Sequence, residues 1–209
     1  MKARHALTAL AALVVVAVLP EHSPEDEQPP VRSKPLPGGA DLVVASALEQ
    51  TRTTTLYDPA YVKLAYPLGD VPADRGVCAD VIVRAYRRAG EDLQREVHED
   101  MTRAFSKYPR RWRWGLSRPD ANIDHRRVAN LMTFFARRGD VVTRSERADD
   151  FVAGDVVAWD LGSGRLHTGI VVAADGACRP RIVHNIGAGA RVEDVLFSWK
   201  IVGHYRSFH

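Results

Sequence analysis

The hydrophobic period of this chain changes once, and that change decides its fold class. From Cys78, residues Val81, Ile82, Ala85, Tyr86 and Ala89 recur at helical spacing, and Gly90 ends the run. Asp92 caps a second helix carrying Leu93, Val97, Met101 and Phe105; Val128, Leu131, Met132 and Phe135 mark a third, closed by Gly139. Beyond Gly139 the pattern is one of short β-type runs at 156–159, 168–172, 182–183 and 201–202, separated by Gly, Asp and Pro. Helices first and strands second predict an α+β domain, with N-terminal helices followed by a small antiparallel sheet. An earlier helix is predicted from Asp41 to about Gln50. Asp58-Pro59 predicts a short helix over 60–65, and residues 66–70 are turn material.

Ahead of this unit, Lys2, Arg4 and His5 precede an apolar run from Ala6 to Leu19 broken only by Thr8. A basic start and a short apolar run predict a secretory signal peptide over residues 1–20, with an uncleaved anchor as the alternative. Pro20, Pro24, Pro29, Pro30, Pro35 and Pro37 then read as a solvated linker over 21–40, leaving 41–209 for one domain. Export to the periplasm or cell envelope is the expectation, with transient membrane association through the N-terminus.

The chain has 209 residues, 45% hydrophobic and 26% charged, which suits one globular domain. Its two cysteines, Cys78 and Cys178, exclude a disulfide scaffold and Cys-rich zinc modules. Residues 84–147 hold 16 Lys/Arg against 9 Asp/Glu, whereas residues 21–83 hold 5 against 10. A basic middle suits nucleic acid or anionic glycan and peptide carboxylates. The run Lys107-Tyr108-Pro109-Arg110-Arg111-Trp112-Arg113-Trp114 has the composition of a single-strand-binding surface. Export disfavours a nucleic-acid partner, so a rim attracting an anionic substrate ranks first and a solvated loop second.

Cys78 opens a strongly amphipathic helix. A thiol there sees the positive end of the helix dipole, which lowers its pKa, and first-turn amides point to where an oxyanion would form. A lone Cys is more often a small buried hydrophobe. Here His167 heads one predicted strand and His184 ends the next, so two antiparallel strands can set their rings side by side. A base and a group that orients it are what a thiol nucleophile requires. Each His alone is more often structural; in the order Cys, His, His the catalytic reading leads. His98, Glu99 and Asp100 could ligate a metal, but consecutive helical residues point about 100° apart, and no metal or cofactor is expected.

These residues resemble a known family. Gly154-Asp155-Val156-Val157, His167-Thr168-Gly169-Ile170-Val171 and Ile182-Val183-His184 are similar to the sheet half of NlpC/P60 papain-like cysteine peptidases and amidases, and Tyr66-x-x-Gly69 resembles the segment preceding their nucleophile. Tyr57-Asp58-Pro59, Gly76-Val77-Cys78-Ala79-Asp80, His98-Glu99-Asp100-Met101, Asn122-Ile123-Asp124-His125-Arg126 and residues 184–189 resemble the bacterial DUF1287 family more closely still. The resemblance implies a papain-like fold in which Cys78 is the nucleophile, His167 the base and His184 its orienting group. Candidate oxyanion or substrate-binding residues are Tyr66, Asp80 and Asn185. Tyr66 would donate its hydroxyl or pack in the core. Asp80 would satisfy first-turn amides, hold Arg75 or orient His184. Asn185 would face away from His184, or replace it if the register slips by one. Cys178 would be incidental.

The function so implied is an exported, monomeric cysteine hydrolase cleaving amide bonds in peptidoglycan peptides. A thiol acyltransferase or transglutaminase-like enzyme, and a non-catalytic envelope-binding module with a structural Cys, are the rivals.

Overall fold

A computed structural model describes residues 28–30, 36–109, 118–172 and 179–208. The expected signal segment 1–20 lies outside the described residues, as do most of the linker, the basic Trp-rich residues 110–117, and Cys178. Helix α1 (Gly39–Thr53) starts two residues before the expected Asp41, because Gly38 takes the left-handed N-cap at φ 69. Asp41 then sits in the first turn, where a carboxylate favours the helix dipole.

Helix α2 (Cys78–Arg88) buries Val81, Ile82, Ala85 and Tyr86 on one face. Helix α3 (Leu93–Arg103) is capped by Asp92, whose side chain accepts from the Gln94 amide at 3.2 Å. Helix α4 (Val128–Arg138) stops at Gly139, which adopts φ 87. The helix expected over 60–65 does not form. Side chains take its backbone groups instead: Asn122 Oδ1 accepts from the Leu64 amide at 2.8 Å, and Arg126 donates to the Ala60 carbonyl at 2.9 Å. Residues 60–63 are also exposed, so no buried face supports a helical ladder.

Two short parallel strands, β1 (Leu56–Tyr57) and β2 (Arg75–Gly76), pair just ahead of α2. The main sheet contains β3 (Val156–Asp160), β4 (Leu166–Val172), β5 (Arg181–Asn185), β6 (Ala190–Glu193) and β7 (Lys200–Tyr205), in the order β6-β5-β4-β3-β7 and antiparallel throughout. The α+β class is therefore as the sequence implies. Strand alternation sorts the sheet into two faces. Val156, Ala158, Ile170, Val172 and Val183 join the core of α1, α2 and α4, where burying each large side chain contributes roughly 1.5–3 kcal/mol. Val157, Trp159, Val171 and Ile182 face the other way, onto Phe151 and Leu196. The Trp159 indole is satisfied there by the Leu196 carbonyl at 2.9 Å.

Candidate active site

The chain reaches its cysteine through the β1–β2 pair. Tyr57 stands opposite Gly76 in the parallel register; Val77 caps α2, and Cys78 is its first residue. Asp80, in the first turn, reaches back to accept from the Val77 amide at 2.7 Å. Arg126 grips the same carboxylate from the other side, Nε to Oδ1 at 2.9 Å and Nη2 to Oδ2 at 3.0 Å. The rest of that guanidinium donates to the Asp58 and Ala60 carbonyls, fixing the segment around Tyr57 and Tyr61 beside the helix start. A Cβ on Gly76 would come within 2.9 Å of the Asp80 carboxylate, which is why a glycine stands there. These pieces wall a cleft of about 860 Å³ that contains Cys78, Tyr57, Tyr61, Arg127 and, on the β3–β4 hairpin, residues 161–166.

The Cys78 thiol is buried, and burial pushes its pKa up to about 11. The Thr168 backbone amide at the sulfur, and the amides of Ala79 and Cys78 itself, pull the other way without overcoming that cost. The thiolate-favouring helix start expected from the sequence is therefore outweighed by desolvation. Across the cleft mouth, burial and the charges of Cys78 and Asp80 raise the Tyr57 hydroxyl.

His167 and His184 come together as strand pairing requires. Nε2 of His167 lies 2.8 Å from Nδ1 of His184, and Nε2 of His184 lies 2.8 Å from Oε2 of Glu193 on the edge strand β6. Both rings sit on the Trp159 face of the sheet: His167 stacks on Trp159 at 5.8 Å, and Trp199 meets both edge-on. Burial, then the neighbouring His184, holds His167 at about 3, far below the usual imidazole value. Burial also lowers His184, with Glu193 opposing. Cys78 reaches this strand through the Thr168 amide, the peptide that joins it to His167. Cys78 itself packs on the other face of the sheet, with Ala158, Ile170 and Val183, so the strands pair the two rings as expected but turn them away from the thiol, and among the described residues neither imidazole hydrogen-bonds the sulfur.

The other expected residues are placed as follows. Asp80 takes the first-turn amide role and pairs with Arg126, not with Arg75 or His184. Asn185 projects to the face opposite His184, donating from Nδ2 to the Gly76 carbonyl at 2.9 Å and to that of Leu56 at 3.2 Å. It splices β5 onto the β1–β2 pair beside the cysteine. Tyr66 does not join the cleft: its ring meets His98 edge-on at 5.4 Å, in a turn held by α3. Gln94 accepts from the Gly69 amide at 2.8 Å, and a Cβ on Gly69 would run into the Ala65 carbonyl at 2.0 Å. Tyr57, and not Tyr66, lines the cleft with Cys78.

Sequence reasoning assigned no role to Tyr57, Arg126 or Glu193. The first two fall inside motifs already noted, Tyr57-Asp58-Pro59 and Asn122 to Arg126, but only the β1–β2 pairing reveals what they face. Glu193 lies on a strand that no hydrophobic run announces. His98 bonds Asp124 at 3.0 Å, and among the described residues no group of three or more His, Cys, Asp or Glu is placed to hold a metal ion.

A buried thiol at a helix start, in a cleft beside a sheet carrying paired imidazoles, is what this α+β domain presents. The chain belongs to the DUF1287 family, described as a domain of unknown function, whose model matches residues 44–207. It is 47% identical over 203 residues to Uncharacterized protein YijF of Escherichia coli (strain K12), covering 95% of this chain and 97% of that protein. Among solved structures, an N-acetylmuramoyl-L-alanine amidase from Bacteroides uniformis ATCC 8492 aligns with a TM-score of 0.46 and 14% identity, over 80% of this chain and 97% of its own.

Proposed function

We propose that this chain is an exported cysteine hydrolase with a papain-like arrangement of groups, cleaving an amide bond in peptidoglycan peptides. The observation that carries the reading is the placement of the Cys78 sulfur: at a helix start, in an open-mouthed cleft, against the amide that follows His167. The imidazole pair lies on the Trp159 face of the sheet, away from the face on which α2 packs, so on this reading His167 serves as base by swinging its ring past the end of β4 toward the sulfur.

In this mechanism Sγ attacks the amide carbonyl as its proton passes to His167. The developing oxyanion is met by first-turn amides of α2 and by the Tyr57 hydroxyl. His167 returns the proton to the leaving amine, and water then hydrolyses the thioester. With the thiol at about 11 and His167 at about 3, both groups rest neutral. Proton transfer therefore accompanies attack, and no standing thiolate–imidazolium pair precedes it. Arg127 and Arg165 line the cleft and suit a substrate bearing carboxylates, as cell-wall peptides do.

Export rests on the basic and apolar N-terminal segment. A fusion of residues 1–40 to a reporter active only outside the cytoplasm gives signal on this reading, and a cytoplasmic reporter pool overturns the compartment. The decisive experiment is digestion of purified peptidoglycan with fragments identified by mass spectrometry. The native protein releases amide-cleaved fragments and Cys78→Ser releases none; equal release by both overturns the proposal.

A further inference from the structure

We propose that Tyr61 is the platform on which a sugar ring of the cell-wall glycan stacks, so that the cleft takes peptides still joined to their sugar. Such a platform deepens the cell-wall reading, on which the assignment rests, and it needs neither imidazole. Tyr61 lines the cleft together with Cys78 and Tyr57. It is also the most exposed large hydrophobic residue among those described, at 60%. An exposed aromatic ring normally moves freely, but this one is held at its hydroxyl from two sides. The hydroxyl donates to Oδ2 of Asp120 at 3.0 Å and accepts from Nδ2 of Asn122 at 3.0 Å. Asn122 is itself fixed, donating to Oδ1 of Asp120 at 2.7 Å and accepting from the Leu64 amide at 2.8 Å. The ring is anchored by its edge while most of its surface stays in water.

That combination suits a carbohydrate. A pyranose presents C–H groups on its faces and hydroxyls around its edge; an aromatic face takes the first, and polar side chains beside it take the second. Asp120 and Asn122 stand at the edge of the Tyr61 ring, because both bond its hydroxyl. Since the ring is already oriented, binding need not order it first. Tyr57, 40% exposed and close enough to Cys78 to feel its charge, continues the aromatic surface toward the thiol. Exposed apolar surface rimmed by polar groups is the character of a ligand groove. The β3–β4 hairpin keeps this one open, because Gly162, Ser163 and Gly164, at φ 101, 56 and 70, add little bulk to its wall. At about 860 Å³ the cleft falls within the range of roughly 300–1,000 Å³ that holds a small ligand, enough for a sugar and the first residues of its peptide. Cys78 lies in the same cleft, so a peptide hanging from a stacked sugar is presented to the thiol.

The test measures binding by calorimetry with the full-length Cys78→Ser protein, in which the proposed mechanism cleaves no bond. Two probes are compared: N-acetylmuramyl-L-alanyl-D-isoglutamine, and the same dipeptide carrying an N-acetyl group in place of the sugar. The sugar-bearing probe binds at least roughly tenfold tighter. Tyr61→Ala removes that advantage and binds the sugar-free dipeptide as before, which a general loss of structure would not do. Tyr61→Phe keeps the ring without its anchor and retains part of the advantage. In the complex with unsubstituted Tyr61, nuclear Overhauser contacts join the tyrosine ring protons to the sugar C–H protons. Equal affinity for the two probes, no binding of the sugar-bearing one, or an advantage that survives Tyr61→Ala overturns the proposal. So does a bound sugar without those Overhauser contacts, a result that decides even if a variant fails to fold. Sugar-dependent binding with no cleavage of peptidoglycan by the native protein leaves the platform standing and fells the hydrolase reading alone; cleavage without sugar-dependent binding does the reverse.

Discussion

Asp80 holds Arg126 through both carboxylate oxygens, with side-chain exposures of 3% and 2%. The two residues are 46 positions apart, so this pair ties the start of α2 to the segment that follows α3. Because the same guanidinium also takes the Asp58 and Ala60 carbonyls, one side chain fixes three walls of the cleft. Burying a guanidinium costs least when its donors are matched, and here four of its five N–H groups have acceptors.

Arg126→Ala strands a buried carboxylate and should cost about 3–5 kcal/mol, read from the urea unfolding midpoint. Arg126→Lys keeps the charge but not the fork, and should fall between. In a double-mutant cycle, Asp80→Ala combined with Arg126→Ala should cost much less than the sum of the single changes. Additive losses would mean the pair is not coupled.

The Cys78 thiol should be a slow nucleophile in the free protein. With its pKa raised to about 11 by burial, iodoacetamide labelling should be weak near neutral pH and climb toward that value. Slow labelling is therefore compatible with catalysis here, and it is loss of turnover in Cys78→Ser that separates a catalytic thiol from a structural one. A labelling midpoint at or below pH 7 would contradict the raised thiol.

Acid should destabilise the fold through His167. The folded state holds this imidazole neutral, with its pKa at about 3 against an ordinary value of 6.5. Its contribution is complete above about pH 6.5 and drains away as pH falls from there toward 3. His125, buried and likewise at about 3, adds to the same window. Thermal midpoints of the native protein and His167→Gln, measured from pH 7 to pH 4, should converge as the pH drops; parallel curves would refute the assignment. Cys78 acts with the opposite sign, since its raised pKa means stability is lost as pH rises from about 9 toward 11. Cys78→Ala should flatten that alkaline limb.

Substitutions at the two histidines should rank by role. On the proposed mechanism His167→Ala removes the proton acceptor, so its loss of turnover should match Cys78→Ala. His184→Asn keeps a group able to bond the imidazole and should retain measurable turnover, with His184→Ala well below it. Asn185→Ala gives up the bonds to Leu56 and Gly76 and should cost about 1–3 kcal/mol of stability. An Asn185→Ala variant that keeps turnover beside an inactive His184→Ala would place the chemistry on the Trp159 face of β5, whereas the reverse would place it on the face that Asn185 shares with the cysteine.

The sequence shows the helices and the central strands because each carries its own apolar period. It shows Cys78, His167 and His184 because those residues sit at element ends where their chemistry stands out. It hides what depends on pairing across the chain. The Tyr57–Gly76 register joins strands of two residues each, too short for any pattern, and so Tyr66 looked the better tyrosine. The helix expected after Asp58-Pro59 was lost to side chains of Arg126 and Asn122, partners no local rule could supply. The thiol's raised pKa is hidden for a similar reason: a helix dipole is visible in one dimension, while burial is not.

Asn185 and Gly76 are 109 residues apart in sequence and joined by one 2.9 Å hydrogen bond. Such a bond closes late, after the C-terminal strands have been made and zipped into the sheet. Until then the residues leading into the cysteine have no anchor on β5, and the imidazoles have no neighbours. A chain still emerging would carry its thiol as an ordinary side chain, without the walls that later enclose it.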